Sequence, residues 1–244
     1  MAKTTPPFQG FPRDHFEFFR ELERNNNKPW FDQNRARYEA VTASFRALLA
    51  LLAPWMLRLN PHFETGGRTN KNFSRINRDT RFRPDKRPYH TNYYLYFYDQ
   101  RRDRRADGRL YAGASADGLT MGFSIYAAGK RGTLRSVFRP RAAQHLPSLE
   151  RWLARHVAGR RLETYWYRSE KKEWVQTEGV PHTPEEWNRL EGWVVRRLIR
   201  PTHPALRAAT LSHEIQLTLQ NLFPLYAFAA IEGSGWEALF HESR

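Results

Sequence analysis

The strongest constraint on the fold is a change in the spacing of apolar side chains near residue 65. Before that point, apolar residues in 12–27 and from Trp30 onward recur every three or four positions, which is typical of one face of an α-helix. After it, residues 93–98 alternate from one side to the other, which is typical of a β-strand with two distinct faces. Helices followed by strands predict an α+β fold.

The helical part reads as a hairpin of two helices joined by the short link NNNK. Asn27 is placed to cap the second helix, and proline is tolerated in a first turn, where Pro29 lies. Pro54 is expected to kink or end that helix, because proline removes a backbone donor.

Strands are expected after this hairpin, with a tight turn at Asp117-Gly118. The predicted strands are 91–98, 110–116 and 119–126, and a second strand hairpin is predicted from 162–168 and 173–177. Further helices are predicted at 140–158, from a capping box at Thr183 through Trp187, Leu190, Val194 and Leu198, and at 212–231 with an interruption near Pro224.

These patterns predict a fold in which an N-terminal helical hairpin packs on an antiparallel sheet, with further helices on one face. We expect a single α+β domain over 8–232, made of the hairpin (8–60) and the sheet with its helices (70–232). Residues 1–7 and 233–244 are expected to be tails.

The net charge of +15 favours a polyanionic partner such as nucleic acid or a phosphorylated ligand. Lysine supplies only seven of the 40 basic residues, so codon usage could equally explain the arginine excess.

The absence of cysteine excludes disulfides and thiolate metal sites. No nucleotide-binding, hydrolase or zinc-protease motif is found, so no cofactor and no metal is predicted. The apolar run 47–57 is too short to span a bilayer. A soluble, cytoplasmic protein without a membrane partner is therefore expected, with its oligomeric state left open.

The segment RINRDTRFRPDKRPYH (75–90) carries five arginines and one lysine against two aspartates. In an extended segment, Asp79 would lie between arginines, so we expect it to be buried and paired. One interpretation is an ion-pair network, built on Asp79 and Asp85, that locks the segment onto the helical hairpin through Glu17, Glu21 or Glu39. The other is an anion pocket. Its predicted ligands are Arg75, Arg78, Arg81, Lys86 and Tyr89.

A larger segment, 68–109, holds more than half of the net positive charge and many aromatic residues. Cations for phosphates beside aromatics for bases are typical of sites that bind single-stranded nucleic acid. The predicted contacts are Arg101, Arg102, Arg104, Arg105, Tyr94 and Tyr96. Weak binding without sequence preference is therefore the leading functional hypothesis.

Two motifs resemble a known family: N-N-x-K-x-W-F at 25–31 and R-x-x-R-D-x-R-F-x-x-D-K-x-P-Y at 75–89. The family is a domain of unknown function carried by conserved hypothetical proteins of bacteria and fungi. The resemblance is looser in Y-x-x-x-S-x-D-G at 111–118. It implies an α+β fold and supplies no activity, cofactor or catalytic residue.

Two other functional classes stay open. An enzyme acting on a small phosphorylated or carboxylated substrate could use the same cations as a clamp, with Asp79, Asp85, Tyr89 or His90 as acid or base. A protein-interaction module would instead use exposed tryptophans. The tryptophans considered are Trp152, Trp166, Trp174, Trp187, Trp193 and Trp236.

Overall fold

The computed structural model describes residues 7–127, 132–158, 162–168, 173–177, 181–208 and 210–241. Its helices are α1 (Arg13–Arg24), α2 (Lys28–Gln33), α3 (Arg35–Leu59), α4 (Arg139–Gln144), α5 (Leu146–His156), α6 (Pro184–Arg189), α7 (Leu211–Ala230) and α8 (Trp236–His241). Its strands are β1 (Asn92–Phe97), β2 (Arg109–Ser115), β3 (Gly118–Tyr126), β4 (Glu163–Arg168), β5 (Glu173–Thr177) and β6 (Gly192–Ile199). The strands form one antiparallel sheet in the order β1-β2-β3-β6-β4-β5, which confirms the predicted α+β fold.

The chain divides into two compact units. Unit 1 consists of Met1–Phe97, Ala112–Thr120 and Leu198–Gln216. Unit 2 consists of Tyr98–Tyr111, Met121–Arg197 and Leu217–Arg244.

The helices of unit 1 form where the apolar spacing predicts them. Asn27 caps α2, and its side chain accepts a hydrogen bond from the Trp30 backbone N–H at 3.0 Å. The predicted second helix is broken once, at Asn34, so that α2 and α3 are separate. Of the two effects expected at Pro54, a kink or an end of the helix, the end is wrong, because α3 continues to Leu59.

The helical part of unit 1 packs on β1 through aromatic rings. Tyr38 and Phe45 of α3 lie 5.9 Å and 5.3 Å from the ring of Tyr93, measured between centroids. Tyr93 and Leu95 are buried, whereas Tyr94 and Tyr96 on the other face of β1 are half-buried. The two predicted faces of this strand are therefore present, and only one of them is core.

The turn between β2 and β3 requires a glycine. Gly118 has a φ of +130°, and a Cβ there would lie 2.1 Å from the carbonyl oxygen of Ile199. Side chains other than hydrogen are excluded both by this backbone conformation and by the close approach.

In unit 2, the second predicted hairpin is present. β4 pairs with β5, with Thr164 opposite Thr177 and Tyr167 opposite Trp174, while the four residues between them lie outside the described ranges. The predicted helix over 140–158 is two helices, α4 and α5, because Pro147 lies in the first turn of a new helix.

The helix predicted from Thr183 to Leu198 is wrong beyond its first turns. The capping box of Thr183 and Glu186 is present, but α6 ends at Arg189 and residues 192–199 are strand β6. The β-branched pair Val194-Val195 favours a strand, and the backbone of β6 pairs with β4. In the described part of α7, the predicted interruption near Pro224 is also absent.

Residues 236–241, which the sequence analysis assigned to a tail, form α8. Trp236 is only 4% exposed and packs on Phe228, with 4.9 Å between ring centroids. Residues 1–6 and 242–244 of the predicted tails lie outside the described residues.

Among the described helices, α3 alone is long and apolar enough to cross a membrane, judged by length and composition. The core helix of a soluble protein meets the same criterion. Leu48, Leu52 and Met56 of α3 have no exposed surface, which is consistent with the soluble protein that the sequence predicts.

Candidate anion-binding surface

Residues 75–90 form a loop closed by backbone hydrogen bonds, which we call the basic loop. The Arg78 N–H donates to the Pro88 carbonyl at 2.8 Å, and the His90 N–H donates to the Ile76 carbonyl at 2.7 Å. Asn77 and Tyr89 form a β-bridge between these two contacts. The base of the loop is therefore a short antiparallel pair, and residues 79–87 project from it.

The basic loop is anchored to the helical part of unit 1 by neutral groups. The Asn26 amide donates to the Tyr89 carbonyl at 2.9 Å and accepts from the Tyr89 N–H at 3.0 Å, as a neighbouring strand would. The Tyr89 ring stacks on Phe31, with centroids 4.1 Å apart and planes 17° apart. The two family-like motifs therefore meet at this anchor.

This anchor differs from the predicted ion-pair lock. Glu17 pairs with Arg20 and Arg13 within α1, and Glu21 pairs with Arg37 of α3. Glu17 and Glu21 are thus used within α1 and between α1 and α3, while both acids of the basic loop pair within the loop itself. Tyr89 is 7% exposed and belongs to the anchor, which places its ring away from solvent.

Asp79 is paired as predicted, but the expectation that it is buried is wrong. Its side chain is 43% exposed. Oδ1 accepts from Arg81 Nε at 3.0 Å, and Oδ2 accepts from Arg81 Nη2 at 2.8 Å. These hydrogen bonds to Arg81, together with one from the Arg81 backbone, hold the pKa of Asp79 far below its usual range. A residue two positions away suffices to neutralise the carboxylate without burial.

Asp85 repeats this arrangement with Arg87 and adds a second arginine. Arg87 Nε and Nη2 donate to it, the latter at 2.8 Å, and the Arg87 backbone N–H donates at 3.0 Å. Arg78 Nη1 also donates to Asp85, at 2.8 Å. The pKa of Asp85 is likewise far below its usual range, chiefly because of Arg87. Among the predicted anion ligands, Arg78 and Arg81 are therefore already committed to carboxylates.

Two arginines of the basic loop form no salt bridge within the described residues, although the charge of Arg75 acts on Asp79 and helps to lower its pKa. Arg75 and Arg83 are both exposed. Together with Arg78 they act on His90, whose pKa lies below its ordinary value because of desolvation first and then the charges of Arg78, Arg75 and Arg83. Lys86 directs its Nζ to the Thr80 carbonyl at 3.1 Å and keeps its charge exposed. Arg83 is absent from the predicted anion ligands, because the prediction did not take into account that each aspartate pairs with the arginine two residues later.

A pair of tyrosines lies on β1, whose backbone is hydrogen-bonded to residues 72–74 just before the basic loop. The rings of Tyr94 and Tyr96 stack with centroids 5.5 Å apart and planes 19° apart. A Cβ on Gly113 would lie 2.1 Å from the Tyr94 ring, so this ring covers the glycine on β2. Ser74 exchanges hydrogen bonds with the Tyr94 backbone, each 2.9 Å long, and Arg75 follows Ser74 directly.

The arginines predicted at 101–105 belong to unit 2. Arg101 pairs with Asp99 at 2.5 Å, and Arg102 pairs with Glu232 at 2.7 Å. Arg104 and Arg105 are, respectively, half-exposed and exposed, and the Arg105 backbone donates to Asp103 at 2.7 Å. Arg101 and Arg102 of this predicted set are thus held in ion pairs.

One titratable group of unit 2 escaped the sequence analysis. Asp107 is 1% exposed, and its Oδ2 accepts from the Asp99 N–H at 3.0 Å and from the Tyr226 hydroxyl at 3.2 Å. Burial raises the pKa of Asp107 to about 7, although nearby Arg102 lowers it. The sequence carries no signal for this, since Tyr226 is 119 residues away.

The tryptophans offer little surface for an interaction module. Trp152, Trp187, Trp193 and Trp236 are buried, whereas Trp166 and Trp174 are half-buried. Within the described ranges, no group of three or more His, Cys, Asp or Glu residues could hold a metal ion.

The family model described as "Conserved hypothetical protein (DUF2461)" matches residues 14–228. The searches of curated proteins and of solved structures returned no match.

Proposed function

We propose that this chain, which belongs to the DUF2461 family of conserved hypothetical proteins, binds nucleic acid weakly and without sequence preference through the basic loop and β1 of unit 1. Arg75 and Arg83 contact phosphates in this proposal, and the Tyr94–Tyr96 pair stacks on bases. We place this activity in the cytoplasm, as the sequence analysis expects.

The observation that carries the proposal is the link between the cations and the tyrosine pair. Ser74 is hydrogen-bonded in both directions to the Tyr94 backbone, and Arg75 is its neighbour in the chain. The residue before Arg75 and the residue that carries the first tyrosine ring are thus held together by one backbone hydrogen bond and one hydrogen bond to the Ser74 hydroxyl. Sites for single-stranded nucleic acid combine these two groups.

Arg75 and Arg83 form no salt bridge within the described residues. This favours a role in binding phosphate over a role in holding the fold together. A guanidinium bound bidentately to a carboxylate, as in Arg81, has one fork of two donors occupied, whereas a guanidinium without such a bond keeps all five donors for an external anion. After desolvation, three arginines lower the pKa of His90, and no carboxylate is among the causes of that shift. Positive charge is therefore concentrated around His90. An anion entering there gains the field of all three.

The experiment is a salt titration of binding to fluorescent, mixed-sequence single strands. Replacing both Arg75 and Arg83 by glutamine should reduce the slope of log affinity against log salt by about 1.4, since each phosphate contact contributes about 0.7 for single strands. The matched control replaces Arg24 and Arg58, which are exposed arginines of α1 and α3. It removes the same net charge and should leave the slope nearly unchanged.

A stacking variant tests the other half of the proposal. Replacing Tyr96 by leucine should weaken binding by about 1–3 kcal/mol at every salt concentration, because stacking is not screened by ions. A thermal melt confirms that each variant is folded. If the wild-type protein binds no oligonucleotide at low salt, the proposal fails, and inorganic phosphate then tests the alternative of an enzyme with a small phosphorylated substrate.

A further inference from the structure

The tip of the basic loop carries the most exposed large apolar side chain in the described structure. Phe82 is 93% exposed, whereas the next, Leu51, is 45% exposed. A side chain this exposed buries almost no area on folding and contributes almost nothing to stability. Its position between Arg81 and Arg83 therefore needs a reason outside folding.

The loop holds Phe82 in place. The Arg83 N–H donates to the Thr80 carbonyl at 3.3 Å, and Lys86 Nζ donates to the same carbonyl at 3.1 Å. On the N-terminal side, Arg81 is fixed to Asp79 by two side-chain hydrogen bonds. The tip is thus ordered on both sides of the phenylalanine. A loop backbone that is ordered before binding loses less conformational entropy when it meets a ligand.

The surroundings of Phe82 define the chemistry of that ligand. The Arg81 guanidinium lies 5.9 Å from the Phe82 ring centroid, and Arg83 has no carboxylate partner within the described residues. Insertion into an apolar pocket of a protein would take these charges out of water along with the ring, which is costly. A nucleobase instead offers an aromatic face next to a phosphate that the arginines can bind in water.

We propose that Phe82 stacks on an unpaired base and makes binding at the basic loop selective for single strands over duplexes. This inference rests on the proposed function. In a duplex, each base face is already stacked on its neighbours, so inserting a side chain costs the unstacking of a step. An unpaired base is available without that cost.

The experiment compares a single strand of about 12 nucleotides, within the range that such sites occupy, with a duplex of the same sequence. Phe82→Ala should weaken binding of the single strand by roughly 5- to 160-fold and leave duplex binding unchanged. Phe82→Tyr keeps the aromatic ring and should bind like the wild type. Leu51→Ala is the matched control for an exposed apolar residue elsewhere in unit 1 and should change neither affinity.

The outcomes separate this inference from the proposed function. If the wild type binds the single strand and Phe82→Ala binds it equally well, the role of Phe82 is overturned while the proposed function stands. If Phe82→Ala weakens single strand and duplex alike, selectivity is overturned. Binding of the wild type to vesicles of anionic lipid, lost in Phe82→Ala and without any oligonucleotide binding, would overturn both and assign Phe82 to a membrane surface.

Discussion

The basic loop of unit 1 and the loop 99–107 of unit 2 are built from the same local element. In both, an aspartate accepts a hydrogen bond from the backbone N–H two residues later, and in three of the four cases the arginine at that position also pairs with it. The pairs are Asp79–Arg81, Asp85–Arg87, Asp99–Arg101 and Asp103–Arg105. An arginine-rich segment can therefore neutralise part of its own charge over a distance of two residues.

The two loops differ in how deeply their carboxylates are buried. Asp79 is 43% exposed, whereas the Asp99 side chain is 8% exposed and Asp107 is 1% exposed. The basic loop is held to its unit by an amide and a stacked ring, which leaves its charges at the surface. Loop 99–107 is held by a buried carboxylate. The same sequence pattern thus serves a surface in one unit and a core in the other.

The largest expected effect is the loss of the neutral anchor. Phe31 is 2% exposed and stacks on Tyr89, so Phe31→Ala should lower the free energy of unfolding by about 3–5 kcal/mol through the cavity it leaves. Chemical denaturation measures this. Phe82→Ala is the same chemical change in the same unit at an exposed position, and it should have no measurable effect. Equal effects of the two changes would show that the anchor does not hold the basic loop.

The next effect is the pH dependence that Asp107 introduces. Its pKa in the folded protein is about 7, against an ordinary value of 3.8. The folded state therefore binds the proton more tightly. The resulting stabilisation is complete below about pH 4 and is lost as the pH rises through about 7, by up to about 4 kcal/mol. Asp107→Asn removes the titrating group and with it this contribution to the pH dependence of the free energy of unfolding.

A buried base in unit 1 acts in the opposite direction. Desolvation lowers the pKa of His15 from 6.5 to about 4, so its contribution to stability is lost as the pH falls through that range. In the wild type, the two groups offset each other between about pH 4 and pH 6.5. In Asp107→Asn, the free energy of unfolding should therefore rise with pH over this interval. A profile that stays as flat as that of the wild type would contradict the assignment to Asp107.

The features that the sequence predicts correctly are those decided within a few residues. The Asn27 cap, the Gly118 turn and the Thr183 capping box each depend on neighbours in the chain. Strand β6 was mistaken for helix because its apolar residues also fit a spacing of three and four, and pairing with β4 decided between the two. Contacts across long separations, such as Asn26 with Tyr89, leave no local signal.

The same distinction between local and long-range features applies to the candidate site. Its cationic character is evident from composition, and the choice of Arg75 rests on sequence. The identity of the free cations depends on which aspartate lies two residues before which arginine, and this removes Arg81 and leaves Arg83. Burial was the quantity that sequence reasoning misjudged, since it expected Asp79 to be buried and overlooked Asp107.

The smallest expected effect on stability is that of Asp79→Ala. Because Asp79 is exposed and its partner Arg81 is a surface residue, the midpoint of chemical denaturation should match that of the wild type. Binding should respond instead. The substitution releases the Arg81 guanidinium, which adds one free cation to the basic loop, so affinity for single strands should increase and the salt slope should steepen by about 0.7. Asp79→Glu keeps the charge and serves as the control. A clear fall in the denaturation midpoint would mean that this ion pair supports the loop structurally, and the contrast between the two loops would then disappear.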